Sequence, residues 1–330
     1  MLPTIPIHPT GPLQSVPGKS VAYLARLRRV MVAFVPVVVG VRISSVLVAK
    51  GARVADGVQI FDLTGKVAVI TGGGGALGSA ISCGLARAGA QIAVTNVTLD
   101  KAEYVASQMR ETCGHAVGYE LDTTQPGAIE SFADEVYREF GKVDILVNCV
   151  GGNVKEATTS PELSFFDIAP EAMRAVMDLN FLTAIVRPCQ VLGKRMAGNE
   201  GGGSIINISS MAASTPLTRI VGYSAAKAAV DNFTKWFAVY LARDCKSKLR
   251  VNAIAPGFFL TAQNQFLLTN DRTGELTERG QQIIEHTPMG DFGIGGDLVG
   301  AAVWLASDAS RFVTGSIISV DGGFSAYAGV

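Results

Sequence analysis

The sequence predicts an α/β fold, a doubly wound seven-stranded parallel sheet with helices on both faces. Three observations predict it. Seven short apolar, β-rich runs alternate with helical stretches from Phe61 onward, and such alternation builds β-α-β units whose sheet is parallel and covered on both sides. A glycine cluster stands between the first run and the first helix. Hydrophobic residues make up 48% of the 330, against 17% charged, which supplies a large core and excludes disorder over the bulk of the chain.

The first strand is 66–71, apolar and β-branched up to its glycine stop. A helix over 76–88 follows and ends at Gly89. The second strand is 91–95, with a helix from about 100 to 112 after it. The alternation continues with a strand at 117–121, a helix at 125–140, a strand at 143–147 and a long helix at 170–196. Strands at 204–208, 250–254 and 317–320 alternate with helices at 223–243 and 297–306. No internal repeat is visible.

Residues 1–60 do not share this pattern. They carry seven basic residues (Lys19, Arg26, Arg28, Arg29, Arg42, Lys50, Arg53) against one acid, Asp56, and a proline-rich start between Pro3 and Pro17. The apolar run 30–41 is 12 residues long and contains Pro36. A spanning helix needs about 20 apolar residues, so no stable membrane span is expected from it. A targeting segment would share the basic, acid-poor character, but no A-x-A-like cleavage site closely follows the run. We divide the chain into an N-terminal extension, 1–60, read as a poorly ordered or over-long start, and one domain over 61–330.

Lys plus Arg and Asp plus Glu number 28 each, so the basic footprint of a nucleic-acid binder is missing and no nucleic-acid partner is expected. The five cysteines, Cys83, Cys113, Cys149, Cys189 and Cys245, are odd in number and unclustered. That pattern argues against a disulfide framework or a zinc site. No metal is expected, and the default setting is a reducing, cytoplasmic one.

Residues 71–78 read T-G-G-G-G-A-L-G. Without side chains the backbone turns sharply, and a pyrophosphate can approach the amides at the helix N-terminus, where the dipole favours an anion. Its place in the first β-α-β unit makes a nucleotide the reading, with a ligand-free tight turn as the alternative. Further on, Tyr223 and Lys227 stand four apart, on one helical face. An isolated tyrosine has a pKa near 10, and a neighbouring cation is expected to lower it towards neutrality. Ser210 offers a hydroxyl 13 residues upstream of Tyr223, after the strand 204–208.

Residues 71–78, Asn148-Cys149-Val150-Gly151, Asn180, Ser210, Tyr223, Lys227 and Pro256-Gly257 together resemble the short-chain dehydrogenase/reductase superfamily, over essentially all of 61–330. The resemblance implies a single-domain Rossmann fold with the family's strand order, and a nicotinamide cofactor. It implies a catalytic tetrad of Asn180, Ser210, Tyr223 and Lys227. Tyr223 would exchange a proton with the substrate oxygen, Ser210 would hydrogen-bond that oxygen, Lys227 would lower the Tyr pKa and bind the nicotinamide ribose, and Asn180 would position a relay water. The cofactor contacts it implies are Thr71, Gly72, Gly74, Ala76, Leu77, Gly78, Asn96, Asp122, Asn148, Gly151, Tyr223, Lys227, Pro256, Gly257 and Thr261. Two departures stand out: Ala76 replaces a glycine of the family turn, and Cys149-Val150 replace the middle of the N-N-A-G segment. Neither removes a catalytic group.

NAD-specific relatives carry an acid at the end of the second strand. Here the aligned residue is Asn96, followed by Val97, with no Arg or Lys beside it to attract a 2′-phosphate. NAD is therefore favoured over NADP. Several loops, among them 151–153, 164–167, 215–219, 256–261, 263–268 and 275–279, resemble a bacterial subgroup of D-mannonate oxidoreductase (fructuronate reductase) type. The resemblance implies a sugar-acid substrate, with interconversion of a ketohexonate and a hexonate. Such a ligand needs cations or amides for its carboxylate. The candidates are Asn153, Ser210, Met211, Arg219, Asn264 and Gln265, the last standing where the subgroup often has Arg. Lys155 and Arg272 are better read as exposed loop residues, and His286 as a packed or capping histidine.

Two alternatives share the scaffold: a gluconate 5-dehydrogenase-like and a 3-oxoacyl reductase-like enzyme. A non-catalytic nucleotide sensor is a third, but such proteins typically lose the Tyr or the Lys. The resemblance also implies the usual homotetramer, formed through helices 170–196 and 223–243 and the tail 324–330. Burial of those surfaces within one subunit is the alternative.

Overall fold

The computed structural model describes residues 59–329 apart from 262, 263 and 271. The reading of residues 1–60 lies outside them but for the last two. The first strand, β1 (Val67–Thr71), is buried over its whole length, because helices cover both faces of a parallel sheet. It is followed by α1 (Ala76–Arg87), β2 (Gln91–Asn96), α2 (Leu99–Cys113), β3 (Ala116–Glu120), α3 (Ala128–Phe140) and β4 (Ile145–Asn148). Next come α4 (Pro170–Met177), α5 (Arg187–Met196), β5 (Gly203–Ile208), α6 (Val221–Arg243) and β6 (Leu249–Pro256). Then α7 (Gln265–Leu268), α8 (Glu278–His286), α9 (Val299–Ala306) and β7 (Ile317–Val320) complete the described elements.

The seven strands form one sheet in the order β3-β2-β1-β4-β5-β6-β7, every pair parallel. This is the expected Rossmann arrangement. Alternate residues of each strand feed opposite layers. Ala68 and Ile70 join Ile81, Leu85, Ile92 and Leu305 on one side, while Val69 joins Phe132, Leu146, Leu192, Ile205 and Val251 on the other. Each fully buried Leu or Ile contributes about 1.5–3 kcal/mol relative to exposure. Strand order reverses at β1, which has β2 on one side and β4 on the other. The chain therefore leaves these strand ends in opposite directions and opens a crevice beyond them. Register aligns Thr71 with Asn148 and Asn148 with Asn207, in one row at the lip of that crevice.

The long helix expected over 170–196 is present but not uniform. Between α4 and α5, Asp178–Val186 takes π-helical turns. Asn180 lies inside this segment and its side-chain Nδ2 donates to the Val176 carbonyl at 2.9 Å. A side chain that takes an i−4 carbonyl competes with the backbone ladder and widens the turn. By length and composition Pro170–Met196 would pass for a membrane span, yet its Val176, Asn180, Ala184, Ile185, Leu192 and Met196 are buried in the protein.

Candidate active site

Between the end of β1 and the start of α1 lie four glycines. Gly72 has φ +68°, and a Cβ there would reach the Cys149 carbonyl at 3.0 Å. A Cβ on Gly78 would stand 2.4 Å from the Gly72 carbonyl, so α1 packs onto the turn only because that position has no side chain. Gly75, the residue before α1, offers no side-chain cap to the helix, which leaves its first amides for an anion. The turn thus fits a pyrophosphate: the first amides of α1 are free to donate, and the glycines let the chain pack closely enough to present them.

A cavity of about 790 Å³ opens beside it. Its wall takes Gly72, Ala76, Leu77 and Gly78 from the turn and α1, Asn96 from β2, Asp122 beyond β3, and Gly151 and Asn153 after β4. Ser210, Tyr223, Lys227, Pro256, Gly257, Thr261 and Asn264 complete the set of expected residues that it brings together. Thr71, Gly74, Asn148 and Asn180 do not form the wall. Thr71 ties β1 to β4, its hydroxyl donating to the Val147 carbonyl and accepting from the Cys149 N–H. Asn148 donates to Asn207, which donates to Thr234, beneath the floor.

Lys227 is almost fully buried, at 3% exposure. Its Nζ donates to the Ile208 carbonyl at 2.8 Å and stands 5.6 Å from the centre of the Tyr223 ring. Burial lowers its pKa to about 8, against the opposing pull of Cys149 and Asp231. Burial likewise pushes the Tyr223 phenol above its usual value, with the Ser210 hydroxyl pulling against it. The expected fall of Tyr223 towards neutrality is therefore not produced by the protein groups alone. Lys227 meets the tyrosine over its ring and gives one N–H to the Ile208 carbonyl, and desolvation of the phenol dominates. Ser210 begins a 3₁₀ turn, where its Oγ accepts from the Ala212 N–H at 3.1 Å.

Asn180 grips the peptide of Gly152, its Oδ1 accepting from the N–H at 2.9 Å and its Nδ2 donating to the carbonyl at 2.8 Å. Asp122 accepts from Thr124 and Gln125, which holds its carboxyl below the usual range. It is at once a turn residue and part of the wall. Asn96 accepts from the Thr98 N–H at 3.2 Å.

The substrate-side expectations divide. Asn264 is on the wall, but its amide closes its own loop through Thr261 and the Phe259 carbonyl. Met211, Arg219 and Gln265 do not line the cavity. Met211 is buried in the protein. Gln265 opens α7, and the next residues, Phe266 and Leu267, face the cavity instead. Lys155 and Arg272 are exposed, as expected of loop residues. His286 packs its ring on Phe324 and Tyr327, with centroids 4.5 and 5.3 Å away.

Arg279 was not among the residues singled out. It lies on α8, whose first turn clasps α7: Thr277 Oγ1 donates to the Leu267 carbonyl at 2.7 Å. Burial and the nearby Arg219 cation both lower it from the ordinary arginine value. Neither arginine is in an ion pair among the described residues. Only the meeting of two elements 60 positions apart reveals this pair, so no local signal could have found it.

Such a crevice serves the exchange of a hydride and a proton at an alcohol carbon, and places the protein among the nicotinamide-dependent oxidoreductases. Comparison with known proteins narrows this. Residues 74–325 match a family model described as enoyl-(acyl carrier protein) reductase. An uncharacterised oxidoreductase of Bacillus subtilis, UxuB, is 43% identical over 278 residues, covering 82% of this chain and 98% of the relative. A Haemophilus influenzae protein, provisionally assigned as a D-mannonate oxidoreductase and crystallised with NAD, has a TM-score of 0.76 at 41% identity, covering 82% and 98% of the two chains. A gluconate 5-dehydrogenase of Burkholderia cenocepacia, solved with NADP and tartrate, has a TM-score of 0.72 at 30% identity, covering 83% and 100%. The chain belongs to the short-chain dehydrogenase/reductase family.

Proposed function

We propose that the protein interconverts a ketohexonate and a hexonate, of the D-fructuronate/D-mannonate type, with NAD preferred over NADP. The observation that carries this reading is the meeting of Ser210, Tyr223 and Lys227 in the cavity that also takes in the glycine turn. The turn and α1 would hold the pyrophosphate, Asn96 the adenosine ribose, and Lys227 the nicotinamide ribose. The bound nicotinamide supplies or accepts the hydride. Tyr223 gives its phenolic proton to the substrate oxygen in reduction and takes it back in oxidation. Ser210 donates to the same oxygen and fixes its distance from Tyr223. Asn180 holds the Gly152 peptide that shapes the floor beside Lys227.

The sugar-acid class is supported by likeness to the Haemophilus influenzae protein; Arg219 and Arg279, neighbouring cations off the cavity wall and without a carboxylate partner among the described residues, are the candidates for its carboxylate. Asn96 supports NAD, since it can bond a ribose hydroxyl and brings no cation for a 2′-phosphate. Exposed Leu182, Trp236, Val239 and Tyr240 support association into the homo-oligomer, a tetramer, through the π segment and α6.

NADH and NADPH are to be crossed with D-fructuronate, D-tagaturonate, 5-ketogluconate and an acetoacetyl thioester, following cofactor absorbance. Fast oxidation of NADH with D-fructuronate alone is expected. Preference for 5-ketogluconate would move the protein to the gluconate 5-dehydrogenase reading, and preference for the thioester to the acyl reductase reading.

A further inference from the structure

Helix α6 carries a third polar residue in line with Tyr223 and Lys227. Asp231 is four residues beyond Lys227, on the same face. Its Oδ1 accepts a hydrogen bond from the Ser209 hydroxyl, across 22 positions of sequence. Ser209 is 2% exposed, and its N–H donates to the Ile254 carbonyl at 2.8 Å, which continues the β5–β6 pairing one residue past the strand. It therefore sits between two groups that the site uses. On one side, the Ile208 carbonyl accepts from Lys227 at 2.8 Å. On the other, Ser210 starts its turn and presents its hydroxyl to Tyr223. A carboxylate beneath a strand end is desolvated at a cost unless something holds it. Here Ser209 supplies the bond, and the Lys235 and Lys227 cations face the same carboxylate.

We propose that Asp231 is a positioning residue: through Ser209 it pins the end of β5, so that Ile208 holds Lys227 and Ser210 meets Tyr223. The three side chains at 223, 227 and 231 then form one unit in which helix and strand end are locked at fixed depth. A hydroxyl-to-carboxylate bond is about twice as strong as a neutral one and shorter, which suits a clasp that must not slip. The inference rests on the roles assigned above to Tyr223 and Lys227.

The test uses Asp231→Ala, Ser209→Ala, the double variant and Asp231→Asn, with NADH and D-fructuronate as the probe pair. Tyrosine labelled with carbon-13 at Cζ reads the Tyr223 titration, its resonance assigned by Tyr223→Phe. Both alanine variants are expected to lower kcat about tenfold, the size of one hydrogen bond to a charged group, and to raise the Tyr223 midpoint as Ser210 drifts from its hydroxyl. The double variant is expected to do no worse than either single. Asp231→Asn keeps an acceptor for Ser209 and is expected to restore the midpoint and most of kcat. An unmoved Tyr223 midpoint in Asp231→Ala overturns the proposal, even where kcat and thermal stability fall together, because it reduces Asp231 to a structural residue. Effects of the two alanine substitutions that add also overturn it. If the wild type leaves D-fructuronate untouched, the substrate reading fails while the Tyr223 resonance still decides the clasp.

Discussion

Asn180 holds Gly152 by both of its backbone groups: the Asn180 amide accepts from the Gly152 N–H at 2.9 Å and donates to its carbonyl at 2.8 Å. The same Nδ2 also reaches the Val176 carbonyl at 2.9 Å. One buried side chain therefore joins the π-helical segment to the loop that leaves β4, directly beside Lys227.

Asn180→Ala removes all three bonds, two of them to the partly buried Gly152 backbone. We expect a loss of about 1–3 kcal/mol in urea unfolding, together with a drop in kcat. A variant as stable and active as wild type would contradict the clamp.

Lys227 gives a stability signature with a defined sign. Its pKa in the folded protein, about 8, lies below the 10.5 of a free lysine. Between those values the unfolded chain binds more protons than the folded one, so this lysine makes stability rise with pH across that window. Cys149 and Cys189, whose thiols burial raises to about 11 and about 12, act in the opposite sense above pH 9. The clean readout is the stability of wild type minus that of Lys227→Met, followed by denaturant unfolding. The difference is expected to climb from pH 8 to 10.5, and a flat difference would contradict the burial of a titrating amine.

Gly78→Ala tests the turn. Its Cβ would lie 2.4 Å from the Gly72 carbonyl and 2.8 Å from the Gly73 Cα, contacts that only a backbone shift can relieve. We expect NADH affinity, by fluorescence titration, to weaken at least about tenfold, which is about 1.4 kcal/mol.

Arg279→Gln separates substrate from cofactor. If the Arg219–Arg279 pair holds a carboxylate, KM for D-fructuronate should rise about tenfold or more, with NADH affinity unchanged. An unaltered KM would contradict a role for Arg279 in substrate binding.

Much of this was legible in the sequence, for reasons that differ by residue. The strands were legible because both faces are covered, which makes runs such as Val67–Thr71 apolar without interruption. The glycine turn was legible because backbone geometry, not packing, selects its residues. Tyr223 and Lys227 were legible as a pair by helical spacing and Ser210 by its place after the strand 204–208, whereas Asn180 entered only through family likeness. The π segment was not legible, because hydrophobic period is blind to a side chain that captures the Val176 carbonyl. Met211 and Gln265 share loops with cavity residues but not their direction, and loop membership does not set direction. Arg279 and Asp231 depend on contacts across 60 and 22 positions, beyond the reach of any local pattern.

Tyr223 is the proposed acid and base of the reaction. The most direct measurement compares wild type and Tyr223→Phe in cofactor oxidation with D-fructuronate, at matched cofactor saturation. The phenyl ring keeps the shape of the pocket and removes only the hydroxyl. We predict a fall in kcat of about 10² to 10⁴, with NADH affinity within about threefold of wild type. Turnover unchanged by the substitution would contradict the assignment.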